Sequence, residues 1–254
     1  MTFKYLYTNG SSITQGYPLD KVDVRDAYKK YHNITYDNYR DINWPGRLGK
    51  ALDLKVIDES RHGGSISRVV RMTSDYILNN SEEKNESTLF VLEFPSGYRD
   101  EIWSNKLNRY FNHTIGIIDG DSDLTEEYES TSKMKDDIRD YFKKFVDDKI
   151  HTKQDCRNFI FLISLLEYFN LKYFIINQSI REDVNRNYPK FKMKNIVNWN
   201  EGDCIVQWYW KENKLSIDND FTEYVEYATD DYHPGYFGHL KIAEYLYEWI
   251  SKRT

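Results

Sequence analysis

Four short apolar runs, separated by stretches of helical spacing, set the strongest limit on how this chain can fold. Tyr5 to Thr8 reads as a first buried strand and Lys55-Val56-Ile57-Asp58 as a second. Thr88-Leu89-Phe90-Val91-Leu92-Glu93-Phe94 is the clearest strand and ends at the turn signal Pro95-Ser96-Gly97. Lys172 to Asn177 is the fourth. Between them, Pro45 to Leu52 reads as a helix with proline in its first turn. Ile66, Val69, Val70, Thr73 and Ile77 mark one buried face of a helix over Ser65 to Leu78. Asp155 to Phe169 is a helix apolar on nearly all sides, and Leu240, Ala243, Leu246, Tyr247 and Ile250 mark a last one. Strands alternating with helices predict a parallel sheet covered on both faces. Right-handed crossovers then bring every strand's C-terminal end to one edge, where open sheets place their sites.

The remaining stretches carry weaker signals. Ser81 to Ser87 reads as a polar loop, Asn185 to Asn200 as irregular, and Cys204 to Trp210 as either a strand or an aromatic loop. Residues from about 100 to 150 are polar and helical in composition. They read as a helical insertion within a single domain spanning 1–254.

The 254 residues are enough for a sizeable core. Net charge −6, with no basic block, argues against a nucleic-acid partner. Cys156 and Cys204 have neither disulfide-framework nor zinc-site spacing. The start, Met1-Thr2-Phe3-Lys4-Tyr5, lacks the apolar core of a secretory signal. The longest apolar run, Phe159 to Leu166, falls far short of the ~18 residues of a membrane span. The expectation is a soluble protein, cytoplasmic or virion-associated.

Two segments at opposite ends carry the chemistry. Asn9-Gly10-Ser11-Ser12-Ile13-Thr14-Gln15-Gly16 follows the first strand and places Ser12 in a glycine-flanked turn. Asp230-Asp231-Tyr232-His233-Pro234 precedes the last helix. A serine hydroxyl is a weak nucleophile that needs a neighbouring base, and a carboxylate beside that base fixes its tautomer. Ser12, His233 and Asp230, with Asp231 in reserve, are candidates for these roles. Gly64, after the second strand, and Ser96, after the third, are candidate donors to an oxyanion. Arg99 is a candidate substrate contact or a partner of Asp100 or Glu101. His239 reads as a packing or capping residue.

These blocks resemble those of the SGNH (GDSL-type) hydrolases. Gly10-Ser11-Ser12-Ile13-Thr14-Gln15-Gly16 matches the family's Gly-Asp-Ser-Ile-Thr-x-Gly except for Ser11 in the Asp place. Asp230-Asp231-Tyr232-His233-Pro234, with Gly238-His239 beyond, matches Asp-x-x-His-Pro. Asp58 to Ser65 looks like the second block, with Gly64 in the oxyanion position. The third block departs: where the family carries Gly-x-Asn-Asp, this chain has Phe94-Pro95-Ser96-Gly97-Tyr98-Arg99, a form similar to a divergent branch found among phage and bacterial sequences.

The resemblance implies a three-layer α/β/α, flavodoxin-like fold with four or five parallel strands. It implies a serine esterase acting without metal or cofactor on a carboxylic ester, an O-acetylated glycan being one candidate. Two alternatives stay open: an O-acyltransferase using the same triad, and a catalytically weak or inactive binding or structural protein, such as a virion component.

Overall fold

The computed structural model describes residues 3–17, 19, 21–95, 99–104, 109–114, 148–177, 180–197, 205 and 233–254. Its centre is a four-stranded sheet of β1 (Tyr5–Asn9), β2 (Lys55–Asp58), β3 (Thr88–Phe94) and β6 (Tyr173–Asn177), all parallel, in the order β2-β1-β3-β6. The chain builds from β1 outward to β2, then crosses back over β1 to place β3 on its other side. That reversal opens a crevice at the C-terminal ends of β1 and β3, the usual ligand position in such sheets.

Side chains alternate across each strand, so each strand feeds two cores. Leu6, Leu89, Val91, Phe174 and Ile176 face one way and pack with Trp44 and Leu48 of α3 (Trp44–Leu52) and Ile242, Leu246 and Ile250 of the terminal helix α8 (Tyr236–Ser251). Tyr7, Phe90, Leu92, Phe94, Tyr173 and Ile175 face the other way. They meet Ile66, Val69 and Ile77 of α4 (Ile66–Asn79) and Phe159, Leu162 and Leu166 of α6 (Asp148–Tyr168). Each such fully buried side chain contributes roughly 1.5–3 kcal/mol. The result is the expected three-layer α/β/α arrangement.

Smaller elements complete it: α1 (Ser12–Gln15), α2 (Val22–His32), α5 (Glu82–Glu86) and α7 (Ile180–Asn187). Helix α5 occupies the expected polar loop, because Ser81 accepts a hydrogen bond from Lys84 N–H and caps a turn rich in acidic residues. Helix α7 begins just before the stretch read as irregular and buries Ile180 and Val184. The stretch Cys204 to Trp210, read as a strand or an aromatic loop, lies outside the described residues except for Ile205, which is buried in the α3/α8 core.

The helical insertion expected at about 100–150 is corrected at its start. Residues β4 (Arg99–Ser104) and β5 (Arg109–Thr114) form an antiparallel hairpin, pairing Ile102 with Phe111 and Trp103 with Tyr110. Aromatic and β-branched residues favour strands, and the polar average over the whole stretch hides them. Residues 115–147 lie outside the described part, and α6 begins at Asp148. Among the described residues, no helix is long and apolar enough to cross a membrane.

Candidate active site

The turn after β1 is held from both faces of the sheet. Asn9 points toward α4, where its Nδ2 donates to Val69 O at 3.3 Å and to Thr73 Oγ1 at 3.2 Å. Its Oδ1 accepts from Gly10 N–H at 2.9 Å and from Arg68 Nη1 at 3.2 Å. On the opposite face the carboxylate of Glu93 accepts Ser11 N–H at 2.9 Å, Ser11 Oγ at 2.7 Å and Thr14 Oγ1 at 2.5 Å. Gly10 lies between these anchors, and a Cβ there would stand 2.5 Å from Glu93 Oε2, so position 10 admits no side chain. With its hydroxyl donated to Glu93, the N-cap Ser11 leaves α1 without a side-chain cap. Gly16, in the left-handed region at φ 92°, ends the helix after one turn. Asn43 Nδ2 donates to Gln15 O at 2.9 Å while its Oδ1 caps α3 through Gly46 N–H, so α1 and α3 are fixed together.

This frame presents Ser12, buried, to His233. Ser12 Oγ and His233 Nε2 are 2.8 Å apart although 221 positions separate them in the chain. A serine hydroxyl donates to an imidazole nitrogen across such a gap when the ring proton sits on Nδ1. Tyr17 packs edge-on to the His233 ring at 5.1 Å between centroids and also lies against His62 at 4.3 Å. The segment carrying His233 is tied down just beyond it, where Tyr236 N–H donates to Tyr28 Oη of α2 at 2.7 Å.

His239 has the packing role read from the sequence. It is fully buried, and its Nδ1 accepts Trp44 N–H at 3.2 Å, joining α8 to the start of α3. Burial, reinforced by the nearby Arg47 guanidinium and then by His233, pushes its pKa down to about 3. It is therefore a neutral ring near pH 7.

The loop after β2 closes against the nucleophile turn. Arg61 N–H donates to Gly10 O at 3.2 Å, and a Cβ on Gly64 would stand 2.7 Å from that same oxygen. His62 N–H donates to Gln15 Oε1. Residues 61–64 form a tight turn with Gly63 at φ 70°. Gly64 N–H donates to Arg61 O at 2.8 Å to close that turn. The hydrogen expected to be available at Gly64 is thus already committed. Gly63 N–H and Ser12 N–H, by contrast, meet no protein acceptor among the described residues. Asp230, Asp231 and Ser96 lie outside the described residues, and Arg99 is placed only by its backbone, as the first residue of β4.

No family model matches the chain, and no curated protein matches it. Solved structures do. A lipolytic protein of the G-D-S-L family from Veillonella parvula DSM 2008 aligns over 99% of this chain and 100% of its own, at TM-score 0.50 and 10% identity. The chain has the SGNH-hydrolase fold. A psychrotrophic esterase from Pseudoalteromonas sp. aligns over 98% of this chain and 97% of its own, with TM-score 0.49 and 11% identity. An acetyl xylan esterase from the rumen bacterium Butyrivibrio proteoclasticus aligns over 100% of this chain and 65% of its own, with TM-score 0.45 and 10% identity.

Within this SGNH fold, several polar residues near the site were not singled out as site candidates by the sequence. Arg68 is buried, donates to Glu59 O at 2.6 Å as well as to Asn9, and approaches Glu101 of the hairpin at 4.0 Å. Its pKa is lowered, chiefly by burial, and Glu101 opposes that shift. Arg71 grips the same Glu101 with two bonds, of 2.9 and 2.8 Å, which fastens β4 to α4. Asp58, at the end of β2, accepts from Thr8 Oγ1, Ser60 N–H and Ser60 Oγ, and burial raises its pKa. Glu93 left the one visible trace in the sequence: an acid inside an otherwise apolar strand.

Proposed function

We propose that the protein is a serine esterase in which Ser12 attacks the carbonyl carbon of a carboxylic ester. The observation that carries this reading is the 2.8 Å approach of Ser12 Oγ to His233 Nε2 at the C-terminal edge of the sheet. His233 takes the hydroxyl proton as the Oγ–C bond forms. The resulting imidazolium returns that proton to the departing alcohol as the ester C–O bond breaks. Water, deprotonated by His233, then attacks the acyl-serine, releasing the carboxylic acid and restoring the Ser12 hydroxyl. Asp230, with Asp231 in reserve, orients His233 through Nδ1.

The tetrahedral intermediates place a negative charge on the former carbonyl oxygen, which needs preorganised donors. Ser12 N–H and Gly63 N–H are the proposed pair. Gly64 is replaced in this role because its hydrogen is spent inside the turn. Ser96 is the proposed third donor, standing where the family's third block carries Asn, and Arg99 the proposed substrate contact. The substrate class to test first is an O-acetylated glycan alongside short acyl esters.

The test is turnover of p-nitrophenyl acetate by the purified protein. The parent chain hydrolyses it above background; Ser12→Ala abolishes that activity and His233→Ala lowers it strongly, both folding normally. Equal rates in parent and Ser12→Ala would contradict the proposal.

A further inference from the structure

We propose that Glu93 is a positioning residue for the nucleophile, supplying from β3 a carboxylate to the turn whose position 11 carries serine instead of aspartate. The catalytic meaning of this rests on the esterase reading; the geometry does not. Glu93 is fully buried in a strand whose other residues are Thr, Leu, Phe and Val. A carboxylate in such surroundings is costly unless its oxygens are hydrogen-bonded. Here Oε1 accepts Ser11 Oγ, and Oε2 accepts both Ser11 N–H and Thr14 Oγ1. These three donors, the ones among the described residues, belong to the turn that carries Ser12 and flank it on both sides.

The strand register makes this possible. Asn9 is level with Leu92, so Glu93 stands beside the first residues to leave β1. Alternation puts Glu93 on the α3/α8 face, opposite the face on which Asn9 is held by α4. The turn is therefore clamped against rotation about the β1 axis from both sides, and the direction of Ser12 Oγ toward His233 is set by that clamp. Gly10 shows how tight the fit is, since even a methyl group there would strike Glu93 Oε2 and Thr14 Oγ1 at 2.5 Å.

The arrangement also makes positions 11 and 93 interdependent. Aspartate at 11 would set a second carboxylate against Glu93, within the 2.7 Å now spanned by a hydroxyl donor. One acid and one donor are compatible in this pair; two ionised carboxylates repel, so one of two acids here would have to take up a proton.

The experiment measures the rate of Ser12 labelling by a fluorophosphonate in four proteins: parent, Glu93→Gln, Ser11→Asp and the double variant. Thermal unfolding is followed in parallel. Each single variant labels more slowly, by up to about 100-fold, the scale expected for a misplacement of about 1 Å. The double variant, with one carboxylate and one donor again, labels within about tenfold of the parent, far from the product of the single effects. Labelling of Glu93→Gln at the parent rate, or losses that simply multiply in the double variant, would overturn the inference. Thr14→Val removes one donor and keeps the acid. It slows labelling in the same sense, so the test stands even if Glu93→Gln fails to fold.

A parent chain unlabelled at Ser12 would overturn the esterase reading instead. The positioning role is then read from the ¹⁵N resonance of His233 Nε2, which Ser12→Ala shifts by removing the hydrogen bond. Glu93→Gln shifts it in the same direction if Glu93 aims Ser12. An unmoved resonance would overturn the positioning role.

Discussion

His233 and His239 stand on either side of the start of helix α8, and the chain uses the same ring in opposite ways. His233 is half-buried, with Nε2 on Ser12 Oγ at 2.8 Å. His239 is fully buried, with Nδ1 on the Trp44 backbone at 3.2 Å and a pKa near 3. The difference is one of solvent and partner. The ring at the sheet edge faces a serine hydroxyl, as the proposed base must, whereas the ring sealed between α3 and α8 is held neutral and acts as a fixed acceptor. An imidazole near a sheet edge is thus not by itself a base; its burial and its neighbour decide.

Substitutions at the two rings should separate along these lines. The largest effect is on rate: His233→Ala should lower ester turnover by ~10²–10⁴, the usual contribution of a general base, with little change in unfolding temperature. Steady-state kinetics beside a thermal melt would read both. His239→Ala should do the reverse, costing about 2–4 kcal/mol of stability by opening a cavity and leaving Trp44 N–H without its acceptor. Urea unfolding measures this, and a change below about 0.5 kcal/mol, the size of an ordinary surface substitution, would break the contrast.

The pH dependence of stability comes next. His239 titrates near 3 when folded and near its ordinary 6.5 when unfolded, so between those values the unfolded chain binds the extra proton. Its contribution is intact above about pH 6.5 and is lost as pH falls, at up to ~1.4 kcal/mol per pH unit. The parent should lose more stability than His239→Gln between pH 6.5 and 4, and parallel curves would contradict the assignment. The smallest effect is expected at Asn43, whose replacement by alanine removes the α3 cap and the tie to α1 for about 1 kcal/mol.

These strands are legible because burial on both faces leaves an apolar run: the sequence pattern marks Thr88–Phe94 to the residue, and Tyr5–Asn9 and Tyr173–Asn177 to within one. The β4–β5 hairpin was not, because its strand formers are diluted by polar neighbours. Helix α2 was not either, since its spacing is too polar to stand out. At the site, Ser12 and His233 carry motif signatures, and the structure brings them into contact. Which N–H of Gly63 and Gly64 is spent depends on a turn with φ 70° at Gly63, a backbone property that the Gly-Gly pair permits but does not specify. Glu93 is visible only as an acid in an apolar strand; its role depends on a partner 82 positions away, Ser11, which the sequence does not bring to it.

The central claim is that Ser12 is a nucleophile activated by His233. Its most direct test is peptide-mapped mass spectrometry after exposure to a fluorophosphonate. One adduct on Ser12, lost in Ser12→Ala and strongly slowed in His233→Ala, is the predicted result. A parent protein that stays unmodified, or carries its adduct on another residue, would contradict the claim.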